Sequence, residues 1–511
     1  MSSFPGALLA FSCGTALLSA AVIQGTVLED RTGRPLARAQ VRLAPARTGG
    51  GSGGASALSD RSGRFSFPSL TAGAYILSAS RAGFADSRYG RTSPASSGTP
   101  IALDTESVFF AEVRMKRLGS ISGVAWDENQ VGLPQISVYA YRASKPPRVA
   151  GSGTTDDRGV FRVPGLPAGR YYVRTGARSL DDGTGLLPTF FPQAAPLQDA
   201  RVVDVELDHD TPDINIPPLF GRLGRLEGSV AAPQFGNQPI QATVTLFSDT
   251  GRSSVPVDPR GEFQVDQLAP GIYELLAEAS IRGMPLADFQ VIQVADRPAM
   301  AGLRLFESPR ISLEIIDQDG KSVGADRLVV IARRKEPAGE GAPQNLRPEG
   351  SQLAPGNWEV SITTPPDLYL VSLSAGEPIW RPRDPAEDGG WLPAWVPRSK
   401  SQSWRIRVST RPGILRGRVA DSAGNPAVGA PVFLLGVSAD VRRRAGGVRT
   451  VHADQNGEYR FAGLPPGDYR VMSSFEFEAP DADAFQVAQA PTITLTEGAE
   501  TTQRLSVWPI R

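Results

Sequence analysis

Apolar and polar residues alternate along much of the chain, and a period of two is typical of β-strands that bury one face. After Gly159, for example, Phe161 and Val163 fall on one side of the alternation and Arg162 falls on the other. Glycine and proline, which favour turns and interrupt helices, separate these runs at short intervals. The pattern therefore predicts many short strands joined by turns, and few helices.

One stretch with this alternation occurs four times. Each copy contains D-x-x-G-x-(F/Y) and then L-x-x-G-x-Y, with ten residues from the first glycine to the second. Long-period similarity of this kind outweighs local signals in predicting architecture. We assign structural roles to the aspartate, both glycines and the tyrosine of each copy. These residues are Asp60, Gly63, Gly73, Tyr75, Asp156, Gly159, Gly169, Tyr171, Asp258, Gly261, Gly271, Tyr273, Asp454, Gly457, Gly467 and Tyr469.

The first half of the repeat suits a tight turn between two strands. The aspartate carboxylate can accept hydrogen bonds from backbone N–H groups two or three residues further on, and the glycine permits a positive φ. A Cβ at such a glycine would cost roughly 1 kcal/mol or more. The second half resembles the tyrosine corner of sandwich domains, in which a buried ring bonds through its hydroxyl to the backbone upstream. A partial fifth copy, Leu353 to Trp358, ends in tryptophan instead.

The four complete copies and the partial one are spaced as domains of ordinary size, about 100 residues, would be. We therefore expect five tandem modules in an extended array, each able to fold alone. The expected division is a signal segment at 1–21, followed by modules at 22–117, 118–222, 223–307, 308–410 and 411–511.

Composition narrows the function classes. The formal net charge is zero, so no broad field would attract nucleic acid or an anionic membrane. Cys13 is the single cysteine, so the cores must be held together by packing without an internal disulfide. Residues 1–21 have the apolar length and the small terminal residues of a cleaved export signal, although no basic residue precedes them. We expect an exported protein of the bacterial envelope or exterior, with no later membrane span.

The recurrent order G-x-V, G-x-P, V-x-L and then the repeat resembles the carboxypeptidase regulatory-like domain. That family belongs to the transthyretin-like, carbohydrate-binding-like β-sandwiches. The resemblance implies an all-β protein of Greek-key, prealbumin-like modules that perform no chemistry themselves. It covers four modules well and the fourth in the chain weakly, and it does not define an activity, because the family accompanies peptidases, adhesins and receptors alike.

Catalytic and metal-binding chemistry has few candidate residues. His209 and His452 are the only histidines, and neither begins an H-x-x-E motif, so we expect no zinc site and no Ser/His/Asp triad. Each aspartate turn offers two or three oxygens, whereas calcium takes six to eight, so we interpret these turns as structural. Related surface domains cross-link a first-strand lysine to an asparagine, but the first strands here carry no lysine. We expect no cofactor.

Aromatic side chains are the remaining candidates for binding. Trp380, Trp391 and Trp395 lie close together in the fourth module and could stack on a sugar ring if they are exposed. Alternatively, they seal a junction between modules while Trp358 and Trp404 fill a core. Three hypotheses follow: a structural or interaction scaffold that contacts another envelope protein, a carbohydrate-binding protein, and an accessory protein of a peptidase system.

Overall fold

The computed structural model describes residues 21–46, 54–90, 98–143, 147–180, 184–236, 240–295, 297–337, 339–376, 389–398, 400–477 and 479–508. Strands are far more frequent than helices among these residues, as the alternation predicts. The chain divides into two compact units, residues 1–91 with 98–116 and residues 92–97 with 117–511. The described part of the first unit forms one β-sandwich and that of the second forms four, which we number in chain order.

The first sandwich contains β1 (Ala21–Glu29), β2 (Gln40–Pro45), β3 (Ala55–Leu58), β4 (Arg64–Leu70), β5 (Gly73–Ser80), β6 (Ser87–Arg88), β7 (Ile101–Leu103) and β8 (Val108–Met115). The second contains β9 (Gly119–Val124), β10 (Ser137–Arg142), β11 (Arg148–Thr154), β12 (Val160–Leu166), β13 (Gly169–Thr175), β14 (Arg178–Ser179), β15 (Thr184–Leu186), β16 (Val203–Val205), β17 (Asp210–Thr211) and β18 (Phe220–Arg222). The third contains β19 (Gly224–Ala231), β20 (Ala242–Ser248), β21 (Gly251–Val255), β22 (Glu262–Leu268), β23 (Gly271–Ile281), β24 (Met284–Val294), β25 (Ala299–Arg304) and β26 (Phe306–Glu307).

The fourth contains β27 (Arg310–Ile316), β28 (Val329–Glu336), β29 (Gly339–Glu340), β30 (Gln344–Asn345), β31 (Ser351–Gln352), β32 (Gly356–Thr363), β33 (Tyr369–Ser374), β34 (Leu392–Val396) and β35 (Gln402–Ser409). The fifth contains β36 (Gly413–Ala420), β37 (Pro431–Gly436), α1 (Ala439–Ala445), β38 (Arg449–His452), β39 (Glu458–Leu464), β40 (Gly467–Ser474), α2 (Ala482–Val487), β41 (Thr492–Leu495), β42 (Glu500–Thr502) and β43 (Leu505–Trp508). Short 3-10 turns occupy Leu197–Asp199, Pro233–Phe235 and Ala325–Arg327.

One strand order recurs in every sandwich. In the first, the sheets run β4-β1-β8 and β3-β2-β5-β6, with β7 also paired to β5. The equivalent sheets of the second sandwich are β12-β9-β17 and β11-β10-β13-β16. Those of the third are β22-β19-β25 and β21-β20-β23-β24-β26, and those of the fourth are β31-β27-β35-β33 and β29-β28-β32-β34. In the fifth, β43 pairs with both β36 and β40 and so joins the two sheets.

The first strand of each sandwich lies antiparallel to one neighbour and parallel to the other, as with β1 between β4 and β8. This arrangement confirms the predicted all-β class of Greek-key β-sandwiches. The number of separately folding modules and their boundaries stay predictions.

A separate apolar cluster fills each sandwich, because the two sheets turn their buried faces toward each other. Trp404 and Trp358 lie in the cluster of the fourth sandwich, with 0% and 5% of their surface exposed, which matches the alternative that places them in a core. Phe161 and Val163 are buried in the second, on the face that the alternation indicates.

The ends of some elements differ from expectation. The strand β1 begins at Ala21, whose side chain is buried, so it includes the last residue of the expected signal segment. Residues 1–20, and with them Cys13, lie outside the described residues.

The helices α1 and α2 are not predicted by the alternation, because each is a short insertion between strands that depends on its cap. Ser438 Oγ accepts from Val441 N at 3.2 Å, and Asp481 Oδ1 accepts from Ala484 N at 2.9 Å.

Candidate functional site

The four turn aspartates share one geometry. In each, Oδ1 accepts from the backbone N–H groups two and four residues on, at 2.7–3.0 Å. The expected backbone donor three residues after the aspartate is the glycine N–H, but this group donates to the aspartate carbonyl oxygen instead. The N–H group four residues after the aspartate therefore bonds to the carboxylate in its place. For Asp156, the hydrogen bond from Val160 N–H keeps the pKa of the carboxyl group below its ordinary value. These carboxylates are therefore used within their own turns.

The turn glycines have the conformation that the repeat predicts. Gly63, Gly159, Gly261 and Gly457 have φ angles of 73°, 76°, 85° and 73°. A Cβ on any of them would also meet the backbone of the first strand, as at Gly63, where Val27 O would lie 2.6 Å away. The second glycine of each copy opens the strand that carries the corner tyrosine, at Gly73, Gly169, Gly271 and Gly467.

The corner tyrosines are buried and bonded to the backbone four residues upstream. Each hydroxyl donates to a carbonyl oxygen, at 2.9 Å for Tyr75, 2.6 Å for Tyr171, 2.8 Å for Tyr273 and 2.7 Å for Tyr469. Burial raises the pKa of the Tyr171, Tyr273 and Tyr469 hydroxyls above the ordinary value. The repeat thus closes each sandwich and leaves its polar groups already satisfied.

Three further aspartates use the same turn and were missed from the sequence. Asp127, Asp317 and Asp421 each accept from the N–H groups two and four residues on, in the first hairpin of the second, fourth and fifth sandwiches. Asp317 and Asp421 share the D-x-x-G spacing that could have identified them. At Asp127, Gln130 takes the place of the glycine with a φ of 61°, which hides the motif.

Two of the candidate stacking tryptophans, Trp391 and Trp395, lie at one edge of the fourth sandwich. Trp395 places its ring 6.3 Å from that of Phe289 in the third sandwich, at an interplanar angle of 70°. The guanidinium of Arg333 lies 3.8 Å from the centre of the Trp391 ring, so one face of that ring is covered. Trp380 lies outside the described residues. The geometry of Trp395 matches the junction alternative, and sugar stacking stays an untested hypothesis.

The Arg333 that covers Trp391 belongs to a charged network. Arg333 pairs with Glu359 at 2.8 Å and with Glu340 at 2.6 Å, and Lys335 pairs with Glu359 at 2.8 Å. Glu359 is 2% exposed, so two cations compensate its burial. From the second sandwich, Arg148 reaches Glu340 at 3.2 Å. The network therefore connects the second and fourth sandwiches.

Arg334 forms the centre of the joint between the third and fourth sandwiches, which we call the third–fourth joint. Its guanidinium lies 5.4 Å from the ring centre of Phe247 and 5.0 Å from that of Phe289, and its Nη1 donates to Pro355 O at 2.8 Å. Arg334 is 6% exposed, and this burial lowers the pKa of its guanidinium below the ordinary value. Within the described part of the chain, Nε and Nη2 of Arg334 have no hydrogen-bond partner.

Other side chains complete the third–fourth joint. Arg398 donates to Phe289 O at 3.1 and 2.6 Å and pairs at 3.1 Å with Asp288, which is 1% exposed. Arg252 of the third sandwich pairs with Glu336 of the fourth at 3.1 Å. Apolar packing adds Phe247, Leu276 and Ala287 of the third sandwich and Ala354 of the fourth.

The sequence does contain a signal for this joint. In β28, Val330 and Ala332 face the core, and the same period of two then places Arg334 and Glu336 on that face. Charged residues on a buried face need partners beyond their own sheet. Alternation alone does not identify the joint, because it does not distinguish the end of a strand from a contact with another sandwich.

The neighbouring joints of the second unit also use polar side chains. Arg174 of the second sandwich stacks on Phe190 at 5.1 Å and donates to Thr250 of the third at 2.9 Å. Between the fourth and fifth sandwiches, Glu497 accepts from Tyr369 at 3.1 Å and from Ser409 at 2.9 Å. We therefore expect these four sandwiches to unfold less independently than separate modules would.

The described ranges contain no group of three or more His, Cys, Asp or Glu side chains that could hold a metal ion. His209 is exposed, with Nδ1 2.9 Å from Leu207 O, and His452 ends β38. None of the helices in these ranges has the length and apolar character needed to cross a membrane.

The chain is an all-β protein built from repeated β-sandwiches, and two regions of it match the model of a known family. The family model of the carboxypeptidase regulatory-like domain matches residues 22–105 and 414–507. These regions lie in the first and fifth sandwiches, and the match confirms the predicted resemblance there. A search of curated proteins finds no match.

Similar solved structures include bacterial pilins. The minor pilin GBS52 of Streptococcus agalactiae is 14% identical, over 39% of this chain and 95% of that chain, with a TM-score of 0.26. The shaft pilin SpaA of Lactobacillus rhamnosus GG is 13% identical, over 39% of this chain and 96% of that chain, with a TM-score of 0.22. The full-length RrgB pilus protein of Streptococcus pneumoniae is 8% identical, over 77% and 98%, with a TM-score of 0.16.

Proposed function

We propose that this protein is a non-catalytic, exported scaffold of the bacterial envelope or exterior, whose second unit holds four sandwiches at set angles. The observation that carries this proposal is Arg334, buried between Phe247 and Phe289 of the neighbouring sandwich. A flexible linker between domains would leave such a side chain in water. A buried cation held by two rings and a carbonyl oxygen fixes an orientation instead.

The acidic side chains and tyrosines that could serve in catalysis make structural hydrogen bonds and ion pairs instead. The turn aspartates bond to their own backbone, and the corner tyrosines bond to carbonyl oxygens. Glu359 and Asp288 are paired with cations inside the second unit. The charged groups therefore support the architecture, which favours a scaffold over an enzyme. Proteolysis of peptide substrates by the purified chain with added zinc would contradict this interpretation.

The test of the scaffold compares full-length Arg334→Ala with Arg405→Ala. Arg405 lies on the same sandwich and pairs with Glu314 at 2.8 Å, but 55% of its side chain is exposed, so it controls for loss of an arginine. We expect Arg334→Ala to keep its far-ultraviolet circular dichroism while its radius of gyration in small-angle scattering increases. Arg405→Ala should match the wild type in both. An unchanged scattering curve for Arg334→Ala would show that the joint does not set the angle.

Export is tested separately. Cells that produce the full chain should release it to the periplasm, surface or medium, and deletion of residues 1–20 should retain it in the cytoplasm. Equal recovery of both forms outside the cytoplasm would remove the export half of the proposal. The most informative partner screen uses other envelope proteins of the source cell.

The carbohydrate-binding and peptidase-accessory hypotheses are considered separately. A glycan array with the wild type and Trp395→Ala tests sugar binding, and we expect Trp395→Ala to lower the melting temperature because its ring contacts Phe289. Saturable binding of a glycan that Trp391→Ala abolishes would favour the carbohydrate-binding hypothesis. The accessory role in a peptidase system rests on the family resemblance alone.

A further inference from the structure

The third–fourth joint contains more acidic than basic groups around one partly buried carboxyl group. Glu274 of β23 interacts electrostatically with Arg334 and Glu336 of β28. Glu278 lies further along the same strand, and Arg252 of β21 is paired with Glu336. Three carboxyl groups thus share two guanidinium groups. Arg252 is already paired with Glu336, so Arg334 is the cation that remains for Glu274 and Glu278.

The fourth sandwich covers part of the face of β23 that carries Glu274. Ile272, Glu274, Leu276 and Glu278 alternate onto the outer face of β23, where Ile272 is 71% exposed and Glu278 is also exposed. Between them, Leu276 is 4% exposed and packs in a cluster with Ala354 of the fourth sandwich. If the two sandwiches separated, Glu274 would enter water as Glu278 does.

The closed joint compensates a charge on Glu274 only in part. Its Oε2 is buried and, among the residues described, has no hydrogen-bond partner. Arg334 uses Nη1 for Pro355 O and lies against two rings, so it affects Glu274 through its charge without a hydrogen bond. An ionised carboxylate is costly when one of its oxygens is buried without a donor, whereas the protonated acid is neutral and can donate a hydrogen bond.

We propose that the third–fourth joint closes with uptake of a proton by Glu274, so that it tightens in mildly acidic surroundings and loosens as the pH rises. A scaffold could exist with fixed joints, so this device goes beyond the proposed function.

The pKa of Glu274 supports the proposed direction of the pH dependence, in which closure takes up a proton. Burial is the largest cause and raises this pKa above the ordinary value, Glu336 adds to the rise, and Arg334 opposes it. In the open joint the ordinary value, about 4.3, would apply. Between that value and the raised one, opening releases a proton, so the opening constant increases by at most tenfold per pH unit, the limit for one proton. Above the raised pKa the opening constant no longer changes with pH.

Calorimetry of the full chain tests the linkage. Glu274→Gln removes the titrating group, and Glu278→Gln removes the same charge from an exposed site four residues along the same face. We expect Glu274→Gln to melt at a higher temperature than the wild type at pH 7, with the difference shrinking toward pH 4. Glu278→Gln should keep the wild-type pH dependence. A Glu274→Gln curve that parallels the wild type at every pH would overturn the proposal.

A local readout separates joint opening from global unfolding. Trp395 contacts Phe289 in the joint, so its fluorine resonance in fluorotryptophan-labelled protein, assigned with Trp395→Phe, reports closure. We expect a second Trp395 signal to grow with pH in the wild type and to be absent in Glu274→Gln and in Glu274→Leu. Circular dichroism confirms that each variant is folded. A Trp395 signal that does not respond to pH in the wild type would refute a proton-linked joint, whatever the calorimetry gives.

Discussion

Trp358 donates from its indole Nε1 to the carbonyl oxygen of Ala354 at 2.9 Å, four residues upstream. The corner tyrosines make the same bond through their hydroxyl groups, as Tyr171 does to Pro167 O at 2.6 Å. The partial copy of the repeat in the fourth sandwich therefore still forms a corner, with tryptophan in place of tyrosine. What the fold requires at this position is a large buried ring with one donor that reaches the backbone upstream.

Removing one corner hydroxyl should destabilise the sandwich that contains it. Tyr171→Phe removes the hydrogen bond from the Tyr171 hydroxyl to Pro167 O, and we expect a loss of about 1 kcal/mol in the free energy of unfolding. Urea denaturation followed by circular dichroism measures the change. Tyr172→Phe, one residue further on, is the matched control and should cost less. Equal losses in the two variants would show that the corner bond contributes nothing specific.

The corner and turn positions could be predicted from sequence because each is a local device. Asp156, Gly159 and Tyr171 all complete their hydrogen bonds or their φ requirement within a few residues of the chain. A spacing that is repeated four times makes such a device visible without any knowledge of the fold around it.

The joints could not be predicted in the same way. Arg334 acquires its role from Phe247 and Phe289, which lie on two other strands of a different sandwich. Likewise, Trp391 is chemically suited to sugar stacking, but the position of Arg333 over its ring depends on packing that one sequence does not reveal. The period of two identifies which face is buried and says nothing about which surface covers it.

Two glycines of the second sandwich separate backbone strain from steric clash. Gly159 and Gly165 both have a φ of 76°, but a Cβ on Gly159 would clash with Ala125 O, whereas nothing lies within 4 Å of one on Gly165. We expect Gly165→Ala to cost about 1 kcal/mol from strain alone. Gly159→Ala should cost at least about 2 kcal/mol more, as misplaced core atoms do. Chemical denaturation of the two full-length variants gives the difference, and similar losses would show that the first strand moves aside freely.

The joint between the fourth and fifth sandwiches should weaken in acid. Hydrogen bonds from Ser409 and then from Tyr369 lower the pKa of Glu497, and Arg411 pairs with it at 3.0 Å. A lowered pKa means that the ionised form stabilises the joint at every pH above the ordinary value of about 4.3, and that this stabilisation is lost as the pH falls through the lowered value.

Glu497→Gln should therefore melt at a lower temperature than the wild type at pH 7, and the two should converge as the pH falls below 4. Glu500→Gln, which removes an exposed partner of Arg416 in the same sandwich, serves as the control and should show a smaller difference at pH 7. Calorimetry between pH 3 and pH 7 measures both. A constant gap between Glu497→Gln and the wild type across that range would mean that the ionisation of Glu497 is not what holds this joint.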